Sequence, residues 1–158
     1  MLLIFEKLND NKSQRTITVN RKAELDYFVS QRIEAGISLV GTEVKSLRLG
    51  KANLTDAYAM IIENEVWLVN AHISKFDQGS FNNHEPLRKR RLLLKRSEIR
   101  KLKFKLQEKG FTLIPLRFYF KENKIKVELG LAKGKKLYDK REAIAKKDLK
   151  RDLERKLN

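Results

Sequence analysis

The side chains that most often carry chemistry are scarce in this chain. It has two histidines, His72 and His84, and no cysteine. Disulfide frameworks, thiolate metal sites and cysteine nucleophiles are therefore excluded. Neither histidine has a neighbour at the spacing of a metal site or a serine triad. His72 reads as a structural histidine within a strand, and His84 as a solvated loop residue. Two stretches come near a phosphate-binding loop. Lys45-Ser46-Leu47-Arg48-Leu49-Gly50-Lys51-Ala52 lacks the first glycine and the closing hydroxyl. Gly130-Leu131-Ala132-Lys133-Gly134-Lys135-Lys136 is one residue short and lacks the same hydroxyl, without which nothing positions magnesium. Glu63 and Glu65 flank a hairpin turn and read as exposed charge. No catalytic residue, metal site or cofactor is expected, and the chain reads as a non-enzyme.

What the chain has in excess is positive charge. Its 158 residues hold 36 Lys and Arg against 20 Asp and Glu, a net charge of +16. The excess is polarised. Residues 1–85 carry 10 basic and 11 acidic groups, residues 86–110 carry 11 and 2, and residues 133–158 carry 11 and 5. A surface built only for solubility mixes signs throughout. A charged inner segment and a charged end point instead to a docking face and a tail, both suited to phosphate. No apolar run approaches the roughly 18 residues of a spanning helix. The opening MLLIF has no basic leader and no small-residue cleavage site, so a cytoplasmic protein without a membrane partner is expected.

The elements that must position these charges follow from periodicity. Residues 1–13 read as a flexible arm. Thr16 to Val19 are β-branched and predict a first strand. Asn20 is placed to cap a helix carrying Ala23, Tyr27 and Phe28, with Ile33 near its end and Gly36 as its stop. Partial alternation predicts a long strand over Ile37–Leu49, bent at Gly41. Two strands, 57–63 and 66–73, join across Asn64-Glu65, and an irregular loop over 74–90 ends in the run Arg88-Lys89-Arg90-Arg91. Ser97 is placed to cap a helix with Ile99, Leu102 and Leu106 on one side, ended by Gly110. Residues 111–120 and 124–132 predict two last strands around Glu122-Asn123, with Pro115 at an edge or bulge. Six strands in hairpins, with helices outside, make a mainly β fold: a small closed or partly open antiparallel barrel over residues 14–132. Residues 133–158 hold too few apolar groups for a core and read as a basic tail, disordered when free. The tail also suits a conditional helix over 141–158, about 27 Å long at 1.5 Å per residue.

Three blocks then coincide. EAGISLVGTEVKSLRLGKAN, RKRRLLLKRSEI and GLAKGKKLYDKR strongly resemble, in order and spacing, the SsrA-binding protein (small protein B, SmpB) family. The resemblance covers nearly the whole chain from about residue 15. It implies an OB-like six-stranded barrel with outer helices. It also implies a factor that binds the tRNA-like domain of transfer-messenger RNA (tmRNA) and delivers it to stalled ribosomes for trans-translation.

Site residues follow from the same resemblance, position by position. Glu34, the glutamate of the EAG block, matches a family residue that matters for tmRNA binding. A carboxylate there would accept hydrogen bonds from base N–H groups; the plainer alternative is a helix-end salt bridge. Lys126 matches a lysine implicated in the same contact. Leu93 matches an apolar position beneath the binding surface, or else is simply core. Asn20, Lys45, Arg48, Lys51, Asn53, Arg91, Lys133 and Lys135 fall in matching blocks as phosphate or sugar contacts. In the tail, Lys136, Tyr138, Asp139, Lys140, Arg141 and Leu149 match the family's ribosome-active segment, which lies in the decoding centre and empty mRNA channel of the small subunit. A family relative has histidine where this chain has Tyr138, which leaves stacking intact but puts any proton-based role in doubt. Leu149 stands where that relative has an aromatic residue. A monomer when free is expected. The competing readings are a generic OB-type RNA-binding or ribosome-associated protein, and a basic amphipathic protein for membranes, whose aromatic anchors the tail lacks.

Overall fold

The computed structural model describes residues 14–157, so the arm expected over 1–13 lies outside the described residues. Among the described residues nine strands and four α-helices follow in chain order: β1 (Gln14–Val19), α1 (Arg21–Asp26), β2 (Tyr27–Ile37), α2 (Gly41–Arg48), β3 (Ala52–Asn53), β4 (Tyr58–Ile62), β5 (Glu65–Val69), β6 (His72–Ile73), β7 (Arg90–Leu93), α3 (Arg96–Leu106), β8 (Phe111–Lys121), β9 (Lys124–Gly134) and α4 (Leu137–Leu157). Strands β8, β4, β5, β7, β2 and β9 pair antiparallel in that order, and β9 returns to β8, closing a ring of six. β1 adds to β8 outside the ring, and β3 pairs β6 in a separate ribbon. Closure is thin at two seams: Ala59 to Leu113 between β4 and β8, and Gly36–Ile37 to Leu92–Leu93 between β2 and β7.

Two tight turns set the hairpins. Glu63-Asn64 and Glu122-Asn123 all have positive φ, the left-handed pair that a two-residue hairpin demands. The first turn lies one residue earlier than the sequence suggests. The barrel interior is filled from every wall, with Val66, Leu68, Leu92, Phe118, Val127 and Leu129 buried. Leu47 of α2 and Ile99 and Leu102 of α3 join the same core.

The largest departure from the sequence reading lies between residues 20 and 49. The helix predicted from Asn20 to Gly36 stops at Asp26, and Tyr27–Ile37 is a strand pairing β9 along its length. A register shift between Val29 and Gln31 is the reason. Before it, Tyr27 and Val29 face outward onto Ala23, Ile114, Leu116 and Ala132. After it, Ile33 and Ala35 face the barrel. One added residue swaps the faces, and the resulting pattern imitates a helical period. The matching shift in β8 falls between Pro115 and Arg117, where the proline signalled it.

The strand predicted over Ile37–Leu49 is the second correction: Gly41–Arg48 is helix α2, and Gly41 is its first residue rather than a bend. Tertiary charge decides this. Glu43 is fully buried, accepts the Val40 N–H at 3.0 Å, and pairs with Arg88 and Arg90. Arg90, itself fully buried, also donates to the Ala71 carbonyl at 2.7 Å and the Pro86 carbonyl at 3.1 Å. Helix α3 begins at Arg96 after Lys95, with no side-chain cap, so Ser97 lies within its first turn. The tail is helical over Leu137–Leu157 and touches α1.

Burial pushes the Glu43 carboxyl up. The hydrogen bonds from Arg88, the Val40 N–H and Arg90 outweigh burial and hold it below the usual 4.5. Its contribution to stability is thus full above pH 4.5 and is lost as pH falls through the lower folded-state value. Glu43→Ala strands a buried guanidinium and should cost about 3–5 kcal/mol, read from the urea midpoint. Glu43→Gln should show less loss of stability on acidification below pH 4.5 than the parent.

Candidate nucleic-acid interface

The outer faces of β2, β9 and β8 form one continuous polar surface. Cross-strand register sets Glu34 opposite Glu128, and Glu128 opposite Arg117. Like charges facing each other would destabilise the sheet, so each carboxylate has its own cations. Glu128 accepts from Arg117 Nε and, at 3.0 Å, from Arg32. Glu34 accepts from the buried Tyr119 hydroxyl at 2.6 Å and from Lys121 at 3.3 Å. The Arg117 guanidinium lies 4.2 Å from the centre of the Tyr119 ring, a cation–π contact that closes the network.

Both carboxylates are kept ionised. Burial pushes Glu34 up, but the Tyr119 hydrogen bond and the charges of Lys121 and Lys126 win and hold it below 4.5. Glu128 is held low in the same way, burial being outweighed by Arg117 and Arg32. Tyr119, beside an anion and buried, is pushed well above its usual value of 10.0 and remains a hydroxyl donor. The salt bridge considered for Glu34 exists, to Lys121 within a sheet rather than at a helix end. The Glu34 side chain is 37% exposed, so an acceptor remains open to an incoming donor.

Beside this surface lies a hollow of about 300 Å³ that brings together Arg48, Leu93 and Lys126, floored by Val44, Phe120 and Ile125. Leu93 is 48% exposed and therefore not core. It packs on Gly36, where an added Cβ would sit 3.1 Å from the Leu93 Cβ. Glycine there lets the leucine lie flat against the sheet. A neighbouring hollow shares Arg48 and Phe120 and adds Arg15.

Other predicted residues are engaged elsewhere. Asn20 is buried, its amide donating to the Pro115 carbonyl at 2.9 Å, so it occupies the cap position of α1 without capping through its side chain. Asn53 Oδ1 accepts from the Thr55 N–H and hydroxyl. Lys51 pairs with Asp77 and Arg91 with Glu65. Lys45 lies over Phe76 and Lys133 over Phe111. Lys135 donates to the Glu24 carbonyl at 2.8 Å and lies over Phe28. Lys136 and Arg141 are exposed, as is Leu149 at 62%. Tyr138, Asp139 and Lys140 belong to α4 by backbone, and their side chains lie outside the described residues.

Sequence reasoning missed Arg32 on β2 and Arg117, Tyr119, Phe120 and Lys121 on β8. Alternation places Arg117, Tyr119 and Lys121 on one face only once the shift after Pro115 is applied, with Phe120 on the other. It also misread His84, which is buried, bonding the Thr42 hydroxyl and the Ile73 carbonyl at 2.8 Å each. His72 is exposed in β6. Among the described residues, no group of three or more His, Asp or Glu gathers to hold a metal, and no helix is long and apolar enough to cross a membrane.

A sequence model described as SmpB protein matches residues 17–158. The chain belongs to the SmpB family. An SsrA-binding protein of Acetivibrio thermocellus is 56% identical over 146 residues, 92% of this chain and 95% of that one. Another, of Syntrophomonas wolfei, is 54% identical over 146 residues, 92% and 93% of the two chains. A solved structure described as "tmRNA-SmpB: a journey to the center of the bacterial ribosome" aligns with a TM-score of 0.67 at 47% identity, covering 80% of this chain and 93% of that one. SmpB proteins are RNA-binding factors, not enzymes, and the ring of six strands with flanking helices is the fold that the resemblance implied.

Tyr119→Phe removes one hydroxyl from a packed ring, so the fold should persist while Glu34 loses its shortest hydrogen bond. The Glu34 carboxyl should then titrate closer to 4.5 than in the parent, as followed by ¹³C-carboxyl NMR. An unchanged midpoint would remove Tyr119 from the account of Glu34.

Proposed function

We propose that this chain binds the tRNA-like domain of SsrA RNA and carries it to stalled ribosomes, enabling trans-translation. The observation that carries this reading is the ionised Glu34, held by Tyr119 and Lys121 beside a hollow that joins Leu93, Lys126 and Arg48. The carboxylate accepts hydrogen bonds from base N–H groups, Leu93 packs against an exposed base or sugar, and Lys126 and Arg48 meet phosphates. Arg15 and Phe120 extend that edge. Lys45, Lys51, Arg91 and Lys133 contribute diffuse attraction, each already resting on a partner within the protein. The buried Asn20 and the self-bonded Asn53 support the surface from within.

The tail acts separately. Lys136, Lys140 and Arg141 meet ribosomal RNA phosphates in the small-subunit decoding centre, Tyr138 stacks on a base beside Asp139, and Leu149 packs in the empty message channel. In this reading the helix Leu137–Leu157 leaves α1 and is received in the message channel on the ribosome, while Lys133 and Gly134 stay in β9. The free protein is a monomer of the cytoplasm, where ribosomes work. A generic OB-type RNA binder is the second reading, favoured by charge and barrel but silent on why a carboxylate is left part-exposed beside the hollow of Leu93, Lys126 and Arg48.

The full chain should bind the tRNA-like domain far more tightly than a hairpin of equal length at matched salt. Glu34→Ala should weaken that binding about tenfold or more, the value of one or two hydrogen bonds to a charged group. Lys126→Ala should lower the salt slope by about 0.7–0.9, one phosphate contact. Equal affinity for both RNAs would establish the generic reading instead. Removing residues 137–158 should leave RNA affinity near that of the parent and abolish tagging on stalled ribosomes in a reconstituted translation assay.

A further inference from the structure

The most cationic stretch of the chain, residues 86–110 with 11 basic and 2 acidic groups, contributes little to the surface described above. Arg88 and Arg90 hold Glu43, and Arg91 meets Glu65. Much of the remainder lies on α3, which separates two grooves. On one flank its cations face the β4–β5 turn, where Glu63 and Glu65 line the groove and Lys103 bonds Asn64. On that side Glu63 and Glu65 offset part of the charge of Arg96, Arg100 and Lys103.

The other flank is different. Between α3 and β2 runs a groove of about 620 Å³, with Ile33, Leu102 and Phe104 as its apolar lining. Arg32, Arg100, Lys101 and Lys105 surround these residues, with Glu98 the one carboxylate in the lining. Arg32 is held by Glu128 and Lys105 lies 3.8 Å from Glu108, which leaves Arg100 and Lys101 with no ion pair among the described residues. Phe104 is 71% exposed, an aromatic ring open to solvent among cations. On this side β2 has a strand partner only at Gly36 and Ile37 among the described residues, so backbone donors and acceptors of its edge near Gln31–Ile33 border the groove without a ladder.

We propose that this groove is a second nucleic-acid site, which takes an unpaired nucleobase of an RNA strand. The base stacks on Phe104, and the strand's phosphates lie along Arg100, Lys101 and Lys105. Every base has a π-face, so such a platform is tolerant of sequence, while the β2 edge and Glu98 offer hydrogen-bond partners to the base rim. An extended peptide could pair with the same edge, but a cationic rim in which Arg100 and Lys101 have no ion pair among the described residues favours a polyanion. The groove shares only strand β2 with the Glu34 surface, and its occupation does not depend on which RNA that surface holds.

The test uses the full-length chain and a ten-nucleotide oligoadenylate with a central 2-aminopurine, at fixed low salt. The parent should bind it and quench the fluorophore. Phe104→Ala, at an exposed position, should keep the parent melting temperature, lose the quenching and bind about 5- to 100-fold more weakly, the range for one stacked base. Arg100→Glu with Lys105→Glu should lower the salt slope by about 1.4 for two single-strand phosphate contacts. Phe104→Ala should leave affinity for the tRNA-like domain unchanged, which separates this site from the tmRNA surface. Parental affinity and quenching in Phe104→Ala would overturn the proposal. So would a duplex of the same sequence binding as tightly as the single strand, or an acidic decapeptide displacing the oligonucleotide at equal concentration.

Discussion

A buried carboxylate joins pieces that no strand pairing connects. Glu43 sits on α2, while its partners Arg88 and Arg90 arrive from the far end of the loop over 74–90. Arg90 then reaches carbonyls at Ala71 and Pro86, tying the β5–β6 connection and the loop to the same point. An unpaired charge in that position would be costly, so the three groups form together or not at all. The functional surface inherits this constraint. Arg48 and Val44 ride on α2 and Leu93 rides on β7, and the hollow exists because Glu43 and Arg90 hold those elements at a fixed separation. His84 reinforces the arrangement, bridging Thr42 of α2 to the Ile73 carbonyl.

Residues with local signals were legible in the chain. The turn at Glu122-Asn123, the strands on either side of it, helix α3 and the irregularity at Pro115 all appear where sequence chemistry places them. Residues whose state depends on distant partners were not. Tyr27 looks helical beside Ala23 because the shift before Gln31 leaves it on an outer cluster, while Phe28, read on the same side, is exposed. Gly41–Arg48 looks like a strand because the partners of Glu43 lie more than forty residues away. Within the run Arg88-Lys89-Arg90-Arg91, nothing local distinguishes the fully buried guanidinium of Arg90 from its exposed neighbour Arg91. Alternation along β7 does so only once Leu92 is known to face the core.

The candidate site divides along the same line. The family resemblance marked Glu34, Leu93, Lys126 and Arg48, and the fold brings them to adjoining faces. The groups that govern Glu34, namely Tyr119 and Lys121, come from β8, some 85 residues further along the chain. Two carboxylates opposite each other on β2 and β9 look like a defect in a sheet meant for a polyanion. They are better understood as organisers. Each fixes two cationic or hydroxyl side chains in place, so that positive groups meet an RNA already oriented rather than as freely rotating chains, and less side-chain entropy is lost on binding.

The junction between barrel and tail follows a related logic. Lys135 falls in a block where the resemblance places phosphate or sugar contacts, yet its ammonium lies on the Glu24 carbonyl and over the Phe28 ring, and its backbone N–H bonds the Asp26 carbonyl. A cation at the C-terminal carbonyls of a helix is favoured by their partial negative charge. Three contacts therefore anchor Lys135, two residues before α4, to the short helix α1, which itself packs on the outer cluster of Ala23, Ile114, Leu116 and Ala132. The direction in which the chain leaves the barrel is set by a body-side mount, two residues before the helix begins at Leu137. A tail that must find one narrow channel gains from such a mount, because a fixed origin restricts the volume its far end explores.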